Sequence, residues 1–250
     1  MATDMSASDT PYWSIHRIIG AMLVWERPEP PSRPVPAPLS RERIVAAALR
    51  LADADGLEAV SLRKVAAALE VGPMRLYGYI ATKEELLDLM VDAVHAEIRP
   101  AGDGWRAALR SVAEATRQAV HRHEWFADLI GGRPQLGPNA LARTEAVLTA
   151  LSDLDLGTAV PAATAVDAYV IGIVRREITE RRAERSTGMD KRQWQVTYGP
   201  YVQRTLATGR FPALAAMVHD GPHLDADQTF RAGLDFLLDG IEAGLAKPGR

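Results

Sequence analysis

Apolar residues return every three to four positions along most of this chain, and no run of strand-like alternation interrupts them. Ile15, Ile18, Ile19 and Met22 form the first stripe, which predicts an amphipathic helix with Ser14, His16 and Arg17 turned away. From Ser40, a plausible N-cap, Ile44, Ala48 and Leu51 predict a helix that Gly56 stops. Ser61 caps a second, with Leu62, Val65, Ala66 and Leu69 at ideal spacing, and Val71-Gly72 is the turn after it. Thr82 followed by Glu85 is a capping box opening a longer helix that carries Leu87, Met90, Val91, Val94 and Ile98 on one face. Further helices are predicted over 104–122, 139–152, 162–185, 190–207 and 226–246, the fourth kinked at Gly199-Pro200. The last carries Phe230, Leu234, Leu238, Ile241 and Leu245, a stripe suited to a bundle seam. The fold class is therefore all-α.

Punctuation divides the chain. Prolines at 28, 30, 31, 34, 36 and 38 predict an extended linker of roughly 3.1 Å per residue, which ends an N-terminal extension at 1–38. Residues 39–85 then form a small helical head, and 86–250 a larger helical domain.

Between the second and third helices of the head lies VGPMRLYGYI, residues 71–80. Pro73 suits the first turn of a helix, where its missing N–H has no intrahelical partner anyway. A helix of about two turns started there turns Leu76 and Ile80 inward against Leu62 and Val65, with Tyr77 flanking. Met74, Arg75, Gly78 and Tyr79 fall on the outer face. A capped helix, a tight turn and a short helix with polar reach make a helix-turn-helix, whose second helix enters the DNA major groove. Arg75 has the geometry to donate two hydrogen bonds to guanine, while Tyr77, Tyr79 and Lys83 suit the phosphate backbone. Arg63 and Lys64, in the first turn of the preceding helix, are placed to touch the same groove.

Charge supports this only locally. The 250 residues carry a formal net charge of -3, which argues against a protein that coats nucleic acid by charge alone. Over 39–83, seven basic residues against five acidic ones leave +2. The chain has no cysteine, which excludes disulfides and thiolate chemistry and fits a reducing cytoplasm. The apolar stretch at 11–25 follows Asp4 and Asp9, contains Arg17 and is too short to span a bilayer, so neither export nor a membrane anchor is expected. No nucleophile triad, phosphate-binding glycine loop or catalytic carboxylate pair is visible, and no cofactor is expected.

The stretch from Leu39 to Val94 resembles the N-terminal domain of tetracycline-repressor (TetR) family regulators. Gly56, Ser61-Leu62-Arg63, Val71-Gly72, Leu76-Tyr77 and Lys83-Glu84-Glu85-Leu86 all stand at that family's spacing. The resemblance implies Arg63, Pro73, Met74 and Arg75 as base-facing positions and Tyr77, Tyr79 and Lys83 as backbone contacts. Gly78 departs from the pattern, in which a bulky or basic residue is usual. More diffusely, Trp105, GGRP at 131–134, DAYVIGIV, RFPAL at 210–214 and FRAGLDFLLDGIEA resemble the tetracycline-repressor effector domain. That likeness implies an effector pocket and a homodimer paired through a four-helix bundle built from 162–185 and 226–246. In tetracycline-binding members a magnesium-ligating histidine lies four residues before the Arg-Pro pair; here that position is Leu129, which argues against a tetracycline–magnesium effector.

Two charged clusters have structural readings. In HRHEWF, residues 121–126, the histidines are two apart rather than the four a helical zinc pair needs, so a helix terminus is favoured over a metal site. In RREITERRAER, residues 175–185, Arg176 with Glu180 and Glu177 with Arg181 predict a self-paired solvated face. Trp125, Tyr169, Trp194 and Tyr198, with Arg176 or Gln193 as polar groups, are the candidate walls of a ligand pocket.

The N-terminal extension has three readings: it packs on the body, it reaches a minor groove through Arg33, or it is partly absent in the cell. MLVWERPEPP at 22–31 is similar to the start of some TetR relatives, which raises the expectation that translation begins at Met22. The expected function is a ligand-responsive regulator, most simply a repressor that binds double-stranded operator DNA as a homodimer. The rival is a helical small-molecule-binding protein or enzyme whose first helices only pack.

Overall fold

A computed structural model describes residues 23–31, 38–132 and 135–245. The stripe at Ile15–Met22, Arg33, and the Arg133-Pro134 pair lie outside the described residues. Among the described residues all regular structure is helical, as the periodicity predicted.

The head is built on its caps. Helix α1 (Arg41–Asp55) starts at Ser40, whose hydroxyl accepts from the Arg43 amide, and ends at Gly56, where φ of +80° requires glycine. Helix α2 (Leu62–Ala68) starts at Ser61, whose hydroxyl accepts from the Lys64 amide. The turn after α2 is closed by two carbonyl contacts, Glu70 N–H to Ala67 and Val71 N–H to Ala66. This is a Schellman motif, and its left-handed residue is Glu70, at φ of +56°, while Gly72 keeps an extended backbone.

Helix α3 (Lys83–His95) links the head to the larger domain. Thr82 accepts from the Glu85 amide as expected, but the reciprocal half of the capping box is absent. The Glu85 carboxylate instead accepts from the Ala81 amide at 2.7 Å and pairs with Arg27 of the extension. Ile44, Ala48, Val65, Ala66, Leu76, Ile80, Leu86 and Met90 close over one another as the core of the head.

The larger domain follows with α4 (Gly104–Arg122), α5 (Phe126–Leu129), α6 (Pro138–Ala150), α7 (Leu156–Thr187), α8 (Lys191–Leu206), α9 (Pro212–Asp220) and α10 (Ala226–Leu245). Helices α4, α5, α6 and α10 pack around α7, α6 also meets α3, and α8 packs with α9. Helices α5 and α9 were missed by periodicity because one is a single turn and the other buries nothing. Helix α7 begins six residues before its predicted start: Asp155 caps it by accepting from the Thr158 amide, and Pro161 sits inside its early turns. It is long and apolar enough, by length and composition, to cross a bilayer, yet Val166, Val170, Val174 and Ile178 along it are buried in the core.

Two packing expectations are corrected. On α10 the stripe Phe230, Leu234, Leu238 faces the chain's own core, and the face left over carries Phe236, 77% exposed. The charged segment of α7 pairs across helices instead of along itself. Glu177 binds Arg117 and His121 of α4, Arg182 binds Asp128, and Arg185 binds Glu124. A charge facing a neighbouring helix finds a partner held by packing, which a self-paired surface residue lacks.

Candidate nucleic-acid interface

Pro73–Gly78 is a 3-10 helix, not the two-turn α-helix expected. Six residues behind a proline gain few i→i+4 bonds, and tighter i→i+3 bonds, Arg75 N–H to Gly72 and Tyr79 N–H to Leu76, close the segment. The change of helix type changes what faces out. With three residues per turn, positions three apart eclipse: Met74 with Tyr77, Arg75 with Gly78, and Leu76 with Tyr79. The first two edges are exposed, Met74 at 80% and Tyr77 at 52%, with Arg75 and Pro73 exposed as well. The third edge is inward. Tyr79 is 8% exposed and belongs to the core, so the outward position expected for it is not the one it takes. Its carbonyl accepts from Nε of Arg41, which ties the end of the segment to the start of α1.

Arg63 and Lys64 are exposed on the first turn of α2, and Lys83 is half-buried at the first residue of α3. The head therefore presents Arg63, Lys64, Met74, Arg75 and Tyr77 on elements fixed from behind by fully buried Leu76 and Ile80. Such an array has the chemistry to donate hydrogen bonds and to attract anions on one exposed face.

The pocket residues expected from the sequence are not brought together. Trp125 is buried and its Nε1 donates to Asp53 of α1 at 2.7 Å. Tyr169 donates to the carbonyl of Phe230 at 2.9 Å, where α7 meets α10. Arg176 is exposed on α7, and Gln193 is spent on capping α8, its side-chain oxygen accepting from the Asp190 amide. Trp194 and Tyr198 do pair, with ring centroids 5.1 Å apart, on the exposed side of α8. Leu129 is half-buried against the core.

A cleft of about 230 Å³ lies elsewhere, between α5 and α7, lined by Ala127, Asp128, Arg175, Ile178, Thr179 and Arg182. Arg175 fixes its wall by donating to the carbonyls of Ala127 and Ile130 at the end of α5. Sequence reasoning missed it because its polar groups come from two helices distant in the chain.

Head and core meet through buried polar groups on α3. Asp92 accepts from the amides of Asn139 and Ala140, both at 3.0 Å, and so caps α6; a side chain at Gly137 would collide with it. His95 packs edge-on to Phe126 at 5.5 Å, and neither of its ring nitrogens has a hydrogen-bonding partner among the described residues. Burial, with Arg143 nearby, pushes its pKa down to about 4, so the ring is neutral at physiological pH. The HRHEWF segment closes the other side of the junction. His121 Nε2 lies 2.6 Å from Glu177, while His123 lies 2.8 Å from Asp53 and 3.3 Å from Glu97, so the two histidines serve different joints.

These features define a class: a helix-turn-helix DNA-binding head joined by one helix to a helical C-terminal domain. The chain belongs to the TetR family of bacterial regulatory proteins. The sequence profile "Bacterial regulatory proteins, tetR family" matches residues 44–90, and "Tetracyclin repressor-like, C-terminal domain" matches 99–245. The HTH-type transcriptional repressor DrrR1 of Streptomyces coeruleorubidus is 39% identical over 233 residues, 90% of this chain and 85% of that protein. The class D tetracycline repressor protein of Escherichia coli is 27% identical, over 84% of this chain and 92% of its own. Among solved structures, ActR of Streptomyces coelicolor in complex with actinorhodin superposes with a TM-score of 0.71 at 28% identity, covering 83% of this chain and 97% of that one. The chain is thus a ligand-responsive DNA-binding regulator of the repressor type.

Proposed function

We propose that this protein binds a pseudo-palindromic operator as a homodimer and leaves it when a small molecule occupies the C-terminal domain. The observation that carries the reading is the 3-10 segment itself. Met74, Arg75 and Tyr77 are exposed together on a backbone anchored by buried Leu76, Tyr79 and Ile80, beside exposed Arg63 and Lys64. A head that merely packed would have no reason to fix an exposed methionine and arginine so firmly. Arg75 reads a base, with Pro73, Met74 and Arg63 along the groove; Tyr77, Lys64 and Lys83 contact phosphates. Tyr79 supports the segment from beneath.

Two heads must meet successive major grooves about 34–36 Å apart, which requires a dimer. The exposed residues of α7 include Pro161, Ala165, Ala168 and Gly172, and those of α10 include Phe236, Gly240 and Ala243. Small residues at helical spacing opposite a large aromatic suit a four-helix seam between two copies, and this accounts for the uncovered apolar length of α7 without a membrane. The effector is a small molecule bound without the histidine-held magnesium of tetracycline, since Leu129 supplies no ligand atom. Trp194 and Tyr198 on α8 remain candidate contacts, because their apolar faces need covering by a ligand or a second copy. Likeness to ActR, whose solved forms include one with actinorhodin and one with (S)-DNPA, supports small-molecule control. The site of action is the cytoplasm, where the operator is.

The test is fluorescence anisotropy with a duplex that the protein itself selects from random-sequence DNA, against a scrambled duplex at two salt concentrations. One dimer per selected duplex, with selectivity that survives added salt, is the expected result. Equal binding to both duplexes that disappears with salt would reduce the head to a general polyanion contact.

A further inference from the structure

Residues 23–31 do not hang free of the head. Val24 is buried, and Leu23 N–H donates to the Glu26 carboxylate at 2.8 Å, shaping a turn. Arg27 pairs with Glu85 on the first turn of α3, and its carbonyl accepts from Nη1 of Arg41 at 2.7 Å. The same Arg41 donates through Nε to the Tyr79 carbonyl at 3.1 Å. Glu29 accepts from the Arg41 amide at 3.3 Å, at the exposed start of α1. Finally, Pro30 lies over Gly78: a Cβ built there would sit 3.4 Å from Pro30 Cγ, in van der Waals contact with it.

These contacts converge on one end of the reading segment. Gly78 eclipses Arg75 on the 3-10 helix, Tyr79 follows it, and Glu85 receives the Ala81 amide two residues beyond. The stretch 23–31 holds one arginine against two glutamates, so it is repelled by phosphates rather than drawn to them, and its arginine is already engaged. A groove-reading arm would need the opposite balance. The glycine that departs from the family pattern at 78 is the seat the linker uses.

We propose that Leu23–Pro31 is an intramolecular clasp in which Arg27 and Pro30 act as positioning residues, holding the 73–81 segment so that Arg75 meets its base in register. The proposal rests on the DNA-binding reading for its consequence and not for its geometry. A long side chain at 78 directed toward Pro30 would displace the linker.

The experiment measures amide hydrogen exchange of residues 76–81 in the free full-length protein, together with the affinity ratio for the self-selected duplex over the scrambled one. Four proteins are compared: the wild type, Arg27→Ala, Gly78→Leu, and the charge swap Arg27→Glu with Glu85→Arg. Both single variants should raise exchange at 76–81 by about two- to fivefold, the range a partly exposed ion pair supports, and lower the affinity ratio by a similar factor. The charge swap should restore both readouts, and exchange in α4 and α7 should not move. Unchanged exchange at 76–81 in both single variants would overturn the clasp, as would a rise spread evenly through α4 and α7. Loss of affinity equal on both duplexes would remove the positioning role. A wild type without duplex preference would sink the DNA reading alone, since exchange at 76–81 needs no DNA.

Discussion

Trp125 Nε1 donates to Asp53 Oδ1 at 2.7 Å, and His123 Nδ1 lies 2.8 Å from the same oxygen. One carboxylate on the last turn of α1 thus receives two groups from the segment joining α4 to α5, and the head is pinned to the domain beneath it.

That oxygen is one point at which head and core are held together. Asp53→Ala leaves two donors in or near the core without their acceptor and should cost about 1–3 kcal/mol in urea unfolding. Trp125→Phe keeps the ring volume closely and should cost nearer 1 kcal/mol. The functional consequence is sharper than the stability loss. In both variants, discrimination between operators whose half-sites are spaced one base pair apart should weaken while preference within a half-site persists. Retention of full spacing discrimination would confine the pair to a packing role.

Arg75 and Lys83 should separate base reading from phosphate binding. Arg75→Ala is expected to cost about 1–3 kcal/mol on the selected duplex and to relax preference at one base position. Lys83→Ala should weaken selected and scrambled duplexes alike and reduce the salt slope by about 1. The check is a titration of each variant against duplexes substituted at single positions, at several salt concentrations. Equal losses on all sequences for Arg75→Ala would remove it from base reading.

His95 makes the protein acid-sensitive. Its pKa is lowered to about 4 by burial and by Arg143, so below the ordinary histidine value the unfolded chain takes up a proton that the folded chain refuses. The contribution of this ring to stability should be constant above pH 7, fall as pH drops from about 6.5 toward 4, and level off below that. Between pH 7.5 and pH 5 the loss attributable to this ring is about 2 kcal/mol. His95→Phe, which keeps an aromatic ring against Phe126, should flatten that part of the stability curve measured by urea unfolding. An unchanged slope would place the acid sensitivity in other groups.

Periodicity and caps made the head legible: Ser40, Ser61 and Thr82 each cap the helix they were assigned, and the inward residues Leu62, Val65, Leu76 and Ile80 are buried. What failed was decided by geometry that spacing cannot carry. Tyr79 was placed outward on a 3.6-residue helix and turned inward by a three-residue one. The capping box of Glu85 was half right because Arg27, 58 positions away in the chain, competes for its carboxylate. Pocket residues were the least legible. Aromatic type says that a side chain wants cover, and Trp125 finds it against Asp53, Tyr169 against α10, while Trp194 and Tyr198 pack on each other and stay about half exposed.

Phe236 offers the decisive test of assembly. It is 77% exposed on α10, on the face opposite Leu234 and Leu238, with Gly240 and Ala243 exposed one and two turns further along. Burying one phenylalanine is worth about 1.5–3 kcal/mol, and a two-fold seam buries it twice, once from each copy. Phe236→Asp adds the cost of desolvating a carboxylate at the same place, so the dimer should dissociate at micromolar concentration in sedimentation velocity. Unfolding should be little altered when compared at equal monomer content, because the core stripe of α10 is untouched. Operator affinity should fall with the dimer, since a single head engages one half-site. A Phe236→Asp protein that still sediments as a dimer would move the interface away from α10, and the exposed row on α7 would then need another explanation.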